Sequence, residues 1–201
     1  MGVLLILFLS FPVFGTSLSL DLDSDGVKEE VVFSPESGLL LILRGGREIW
    51  SGLPSHWGAW KLVVADLDGD GFKELLLGVK IKTRFFPERH KSLFVLGWNG
   101  NFLYARWLGS HMSKPLLDFV AFDLDGDGKD ELITLELGRE GKGHLLVYRW
   151  IGFGFGFLWE SEAFFNGVLF SDGSKAGLRL SDGKTYILSI SDGSFTLRRC
   201  P

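Results

Sequence analysis

Carboxylates recur at fixed offsets in three short segments of the chain. Counted from the first Asp of each segment, acids stand at positions 1, 3, 5 and 9, and glycine stands at position 6. The segments are DLDSDGVKE from Asp21, DLDGDGFKE from Asp66 and DLDGDGKDE from Asp123. Ca²⁺ takes about six to eight hard oxygen ligands, which such a loop can supply. The glycine permits the sharp turn that brings the chain back around an ion.

Each loop offers four carboxylates and, at position 7, a backbone carbonyl whose side chain is free to vary. The predicted ligands are Asp21, Asp23, Asp25, Val27 and Glu29 in the first loop, Asp66, Asp68, Asp70, Phe72 and Glu74 in the second, and Asp123, Asp125, Asp127, Lys129 and Glu131 in the third. Close carboxylate pairs repel by about 4 kcal/mol at an effective dielectric of 20. We therefore expect up to three Ca²⁺ ions, each with a structural role.

The loops do not match the EF-hand pattern. An EF-hand requires a bidentate Glu at position 12 between two helices. Here that position is Val32, Leu77 and Thr134, and the flanking runs are β-prone. The sequence therefore predicts a metal loop that closes on a strand.

The overall charge does not suggest a nucleic-acid binder, because the net charge is −4 and the acidity is local. Of 25 acidic residues, 12 stand at positions 1, 3, 5 and 9 of the three loops, and the other 13 are outnumbered by 21 Lys and Arg. A single cysteine, Cys200, excludes a disulfide framework within the chain and a cysteine-cluster zinc site.

The acidic loops belong to a longer repeat. Each loop lies between two apolar, β-prone runs, and two further apolar stretches joined by a Gly-containing turn follow. This order predicts four strands per unit, and no window shows a helical apolar period. A fourth unit is expected around Asp172, where Val168, Phe170 and Ala176 align with loop carboxylates and only Asp172-Gly173 remains. Tandem four-stranded units of this length are typical of propeller blades.

We therefore predict an all-β fold, a β-propeller-like array of about four four-stranded blades with calcium loops between the first two strands. The predicted blades cover approximately residues 17–52, 60–109, 117–161 and 163–199 of a domain at 16–201. Trp50, Trp107 and Trp159 end the fourth strand of the first three units, which predicts a shared role in packing between blades.

The loop pattern, repeated within four-strand units, resembles FG-GAP or VCBS-type repeats, which build the calcium-bearing propellers of integrin α-subunits. The resemblance implies one Ca²⁺ in each intact loop, held by the residues named above. This chain departs from the pattern at Glu30, where Leu75 and Leu132 follow position 9 of the other loops. Integrin-like propellers have seven blades, so a closed ring, an open array and a ring completed by another chain all remain alternatives.

The first 15 residues predict a secretory signal peptide. Residues 1–14 carry no charge, and the apolar run is shorter than the roughly 20 residues of a transmembrane helix. We therefore expect no stable membrane span and a secreted, periplasmic or cell-surface location.

No catalytic motif is recognised, since the chain has neither H-E-x-x-H nor G-x-S-x-G. The leading hypothesis is an exported, non-enzymatic calcium-binding module that contacts protein or glycan. Two alternatives remain open: an accessory or degenerate polysaccharide-active enzyme, and a structural subunit of a cell-surface assembly. An oligomer or a partner chain that completes the propeller is compatible with each of them.

Overall fold

A computed structural model describes residues 15–83, 86–109, 112–164 and 166–200. Within these ranges the chain forms strands β1–β16 and a short 3₁₀ turn at Ser55–Trp57. The predicted signal peptide lies almost entirely outside the described residues. No helix in the described part of the chain has the length and apolar character that crossing a membrane requires.

The strands form four separate antiparallel sheets of four, each in the order of the sequence. The first sheet contains β1 (Thr16–Leu20), β2 (Glu29–Ser34), β3 (Leu39–Arg44) and β4 (Arg47–Ser51), and the second contains β5 (Lys61–Ala65), β6 (Glu74–Ile81), β7 (His90–Trp98) and β8 (Leu103–Leu108). The third contains β9 (Leu116–Phe122), β10 (Glu131–Leu137), β11 (Gly143–Trp150) and β12 (Phe155–Glu160), and the fourth contains β13 (Gly167–Ser171), β14 (Ala176–Leu180), β15 (Thr185–Ser191) and β16 (Ser194–Arg199). The predicted all-β fold with four blade-like units is confirmed.

Burial patterns explain how the sheets are arranged. In β2, buried Val31 and Phe33 alternate with the exposed Glu30, which is the pattern of a sheet packed on one face. In β6, residues 74–79 are all buried, because this strand has a neighbouring sheet on both faces.

Three apolar clusters join the sheets in succession. The first cluster lies between sheets one and two, the second between sheets two and three, and the third between sheets three and four. Trp50, Trp107 and Trp159 pack against the first, second and third cluster respectively, which confirms their predicted packing role. The first strands of the sheets (β1, β5, β9 and β13) line a common cavity of about 550 Å³.

The fourth sheet has a tight turn where the other sheets have an acidic loop. Ser171 pairs with Ala176, so only the four residues 172–175 connect β13 to β14. Val168 and Phe170 lie within β13. The predicted alignment therefore holds at Ala176, which begins β14 as Glu29 begins β2, but not at Val168 and Phe170, because this connection is shorter than the loops of the other sheets.

The packing between sheets can be tested at Leu75, which is fully buried in the first cluster. We expect Leu75→Ala to lower the free energy of unfolding by about 2–5 kcal/mol, since it removes buried methyl groups and leaves a cavity. The matched control is Leu108→Ala, whose side chain is 52% exposed. Denaturant unfolding would measure both, and equal losses would contradict the assigned packing.

Candidate metal centre

The three acidic segments form loops with one shared backbone scaffold: loop 1 (residues 21–29), loop 2 (66–74) and loop 3 (123–131). In each, the position 6 glycine donates its N–H to Oδ2 of the first Asp, at 2.8, 3.1 and 2.9 Å in loops 1 to 3. That glycine has φ of +87°, +88° and +85°, a conformation that side chains disfavour. The equal spacing of these residues in the sequence therefore corresponds to the same turn of the backbone at position 6 in all three loops.

The scaffold brings three carboxylates together in every loop. One oxygen from each of positions 1, 3 and 5 lies within 4.8 Å of the other two. The triads are Asp21, Asp23 and Asp25; Asp66, Asp68 and Asp70; and Asp123, Asp125 and Asp127. Each triad could hold a metal ion.

Two buried oxygens indicate that a cation suits this arrangement. Oδ1 of Asp23 and Oδ1 of Asp68, both at position 3, are inaccessible to solvent and have no hydrogen-bond partner. A buried carboxylate oxygen without a donor is costly, and a bound cation would satisfy it. The donor set of three carboxylates fits a hard cation such as Ca²⁺.

The glutamate at position 9 lies outside the triad in each loop. Glu29, Glu74 and Glu131 are at most 1% exposed. Oε2 of each accepts the N–H of the residue at position 2, at 3.0 Å in all three loops. The other oxygen, Oε1, meets an arginine. In the described geometry this carboxylate braces the loop, and its predicted role as a ligand stays a prediction.

The position 7 residues have a role in the backbone of the loop. The N–H groups of Val27, Phe72 and Lys129 donate to the Asp at position 5, at 2.8, 2.9 and 2.9 Å. That hydrogen bond fixes the turn after the triad. The use of their carbonyl groups as ligands stays a prediction.

Sequence reasoning missed an arginine beside every loop. Arg44 lies 2.9 Å from Oδ2 of Asp25 and 3.4 Å from Oδ2 of Asp23. Arg149 lies 2.5 Å from Oδ2 of Asp125. Both also bond the glutamate at position 9 of their loop. One guanidinium therefore partly neutralises each acidic loop.

In the second sheet a different strand supplies the arginine. Arg44 pairs directly with Glu29 across β2 and β3, and Arg149 holds the equivalent place on β11. In the second sheet that place falls on Gly97, and a Cβ there would collide with the ring of Tyr104. Arg106 enters instead from β8, where the register with β7 shifts, and bonds Asp68 at 2.6 Å as well as Glu74.

Burial and the arginines act in opposite directions on the loop carboxylates. Burial raises the pKa of Glu74 and of Glu131 above the ordinary value, although Arg106 and Arg149 favour their ionised forms. For Asp68, burial alone would raise the pKa, but hydrogen bonding and charge from Arg106 hold it below its usual range. Arg106 therefore keeps the position 3 carboxylate of loop 2, Asp68, in the form that binds a cation.

Neighbouring loops are also bonded to each other across the sheets. Ser24 Oγ donates to the carbonyl of Gly71 at 2.6 Å, which joins loop 1 to loop 2. Two hydrogen bonds join loop 2 to loop 3. The N–H of Asp130 donates to the carbonyl of Asp66 at 2.7 Å, and the N–H of Asp66 donates to Oδ2 of Asp130 at 2.8 Å. Burial raises the pKa of Asp130. An ion that orders one loop would therefore stabilise the contact between two sheets.

Sequence comparisons identify no family for this chain. No family model matches it, and no curated protein matches it. Among solved structures, the V. cholerae biofilm matrix protein Bap1 is similar with a TM-score of 0.35 and 17% identity, over 90% of this chain. The chain spans 41% of the length of that structure.

The bracing role of the arginines can be tested in the second sheet without metal. We expect Arg106→Met to lower the free energy of unfolding by about 1–3 kcal/mol in a chelator, because it leaves the buried Glu74 carboxylate with a single backbone donor. Lys184→Met, which breaks an exposed ion pair with Asp182, is the matched control and should cause no measurable loss. Equal denaturation midpoints for Arg106→Met and the unaltered chain would contradict the assignment.

Proposed function

We propose that this protein is an exported, calcium-binding β-propeller-like module that contacts a protein or a glycan, with Ca²⁺ in a structural role. The observation that carries the proposal is the Asp triad that recurs in three loops with the same glycine-to-aspartate bond, with neighbouring loops bonded across sheets. Export rests on the composition of the first 15 residues.

Calcium is favoured among the common metals by the chemistry of the donors. Each triad contains only carboxylates, without His or Cys, which excludes the donor set typical of structural zinc. Open loops with flexible geometry suit Ca²⁺ better than Mg²⁺, which demands a near-ideal octahedron. When bound, the ion would supply positive charge that offsets the repulsion among the three aspartates.

Exposed aromatic side chains support a contact surface at the acidic-loop end of the sheets. Because the strands are antiparallel, the turn between the third and fourth strand returns to the end that carries the loop. A Cβ built on Gly100, in that turn of the second sheet, would lie 3.2 Å from Asp23. Phe102 and Phe153 in these turns are 53% and 78% exposed, and Phe72 in loop 2 is 45% exposed. Aromatic side chains with this exposure are typical anchors for protein surfaces and sugar rings.

A non-enzymatic role is part of the proposal. The four glutamates buried among the described residues are Glu29, Glu74, Glu131 and Glu136. The first three are bonded as described above. Glu136 accepts from Tyr148 at 2.8 Å, from Thr134 at 2.7 Å and from the N–H of Lys114. These buried carboxylates hold backbone and side chains together, which favours a structural function over general acid–base chemistry.

Calcium dependence is the direct test of the metal sites. With Ca²⁺ at ten times its dissociation constant, linkage gives about 1.4 kcal/mol of stabilisation per site. We therefore expect the melting temperature to rise with Ca²⁺, to fall in a chelator, and to respond less when Asp66→Asn and Asp68→Asn are combined. Differential scanning calorimetry would measure the response.

The matched control for this test is Asp172→Asn. Asp172 lies in the four-residue turn of the fourth sheet, outside the three triads. This variant should keep the full calcium response. A melting temperature that is equal in Ca²⁺ and in chelator would contradict the metal assignment.

The contact surface can be tested on a glycan array and a panel of immobilised extracellular matrix proteins. We expect Phe102→Ser combined with Phe153→Ser to reduce binding by about tenfold or more, because aromatic anchors dominate such contacts. The exposed Leu108, replaced by Ser, is the control for a general loss of apolar surface. Binding that is unchanged in the double variant would contradict this surface, and an absence of any bound ligand would contradict the binding role.

A further inference from the structure

The two ends of the row of sheets have faces against which no other sheet packs, although the first strands of sheets one and four, at Ser19 and Phe170, line the same central cavity. Here the first end face is the side of sheet one opposite the first cluster, and the fourth end face is the side of sheet four opposite the third cluster. In the described part of the chain, no hydrogen bond, ion pair or apolar cluster joins sheet one to sheet four.

The first end face is an apolar strip flanked by acids. Strand register places Val32 opposite Leu41, and Leu43 opposite both Glu30 and Glu48. The three aliphatic side chains are only half-buried, and both glutamates are exposed. Strand residues on this face include no Lys or Arg.

In the next two sheets, the residues equivalent to those of the first end face pack against the preceding sheet. Leu75 and Leu132 occupy the position of Glu30 after their loops, and both are fully buried against the preceding sheet. In sheet one this position is Glu30, which is charged and exposed, and no described sheet precedes it. The departure at Glu30 therefore falls where a blade contact would form.

The fourth end face is an apolar strip flanked by bases. Strand register places Phe170 and Ile187 on either side of Gly177, with Arg179 and Arg198 on the same face. The guanidinium of Arg179 lies 5.9 Å from the centre of the Phe170 ring. Val168, beside them, is 64% exposed. Strand residues on this face include no Asp or Glu.

We propose that the fourth end face of one copy docks on the first end face of a second copy. Each face consists of an apolar strip flanked by two charged side chains. These are negative on the first end face (Glu30 and Glu48) and positive on the fourth (Arg179 and Arg198). None of these four charged side chains has an ion-pair partner among the described residues. Two such head-to-tail contacts, related by a twofold rotation, close a ring of two chains and leave no end face exposed.

A second copy is favoured over closure within one chain. Three apolar clusters already fix the order of the four sheets, and in that arrangement the two end faces of one chain do not bond each other. The proposal does not depend on metal binding, since neither end face contains a residue of the Asp triads.

Charge reversal provides the test, with sedimentation velocity across a concentration series as the measurement. We expect the unaltered chain to dimerise, and Glu30→Arg with Glu48→Arg to weaken dimerisation by about tenfold or more through like-charge repulsion. Arg179→Glu with Arg198→Glu should weaken it similarly. An equal mixture of the two variants should regain dimerisation, because each end face then meets its opposite charge on the other chain.

Glu140→Arg with Glu162→Arg is the matched control, since both glutamates are exposed and lie away from the end faces. This control should dimerise as the unaltered chain does, and circular dichroism would confirm that all variants fold. A monomeric unaltered chain, including one that closes on itself, would overturn the proposal. Dimers that persist in each reversed variant alone, or a mixture of variants that stays monomeric, would also overturn it.

Discussion

The concentration of negative charge in three short loops is the constraint on which the rest of the structure depends. Three aspartates per loop lie within 4.8 Å of one another, at the ends of strands that must stay in register. Three features of each loop hold these carboxylates in place. Backbone N–H groups donate to them, a buried glutamate bonds the backbone of the loop, and an arginine from the same sheet pairs with them. Arg106 holds the pKa of Asp68 below its usual range, which keeps that carboxylate in the form that binds a cation.

The loops also explain how separate sheets behave as one row. Apolar clusters hold neighbouring sheets through their faces, whereas the loops bond each other at one end, through Ser24 and Gly71 and through Asp66 and Asp130. The geometry of each loop is therefore coupled to the contact between neighbouring sheets. This coupling is the main support for the proposed structural role of a bound cation.

Much of the fold was predictable because its signals are periodic. Alternating apolar residues, glycine turns and equal offsets of Asp predicted sixteen strands in four units, and the three equivalent tryptophans pack as expected. The arginines were not predictable, since Arg44 and Arg149 follow their glutamates at different distances and Arg106 comes from another strand. In the fourth unit, only the length of the connection was not predictable, because Asp172-Gly173 marks a tight turn as readily as the remnant of a longer loop. Side chains that meet through register or bulges leave no fixed spacing in the sequence.

The four-residue turn between β13 and β14 makes the two ends of the row of sheets unequal, because a triad is present in the first sheet and absent from the described part of the fourth. The fourth sheet has no Asp triad and borders a single apolar cluster, whereas the second and third sheets each have a triad and border two clusters. Cooperative units with fewer contacts open first in native proteins. Fluctuations should accordingly begin at the C-terminal end of the described chain and spread toward the middle, and a cation held by the triads would widen the difference in stability between the fourth sheet and the second and third.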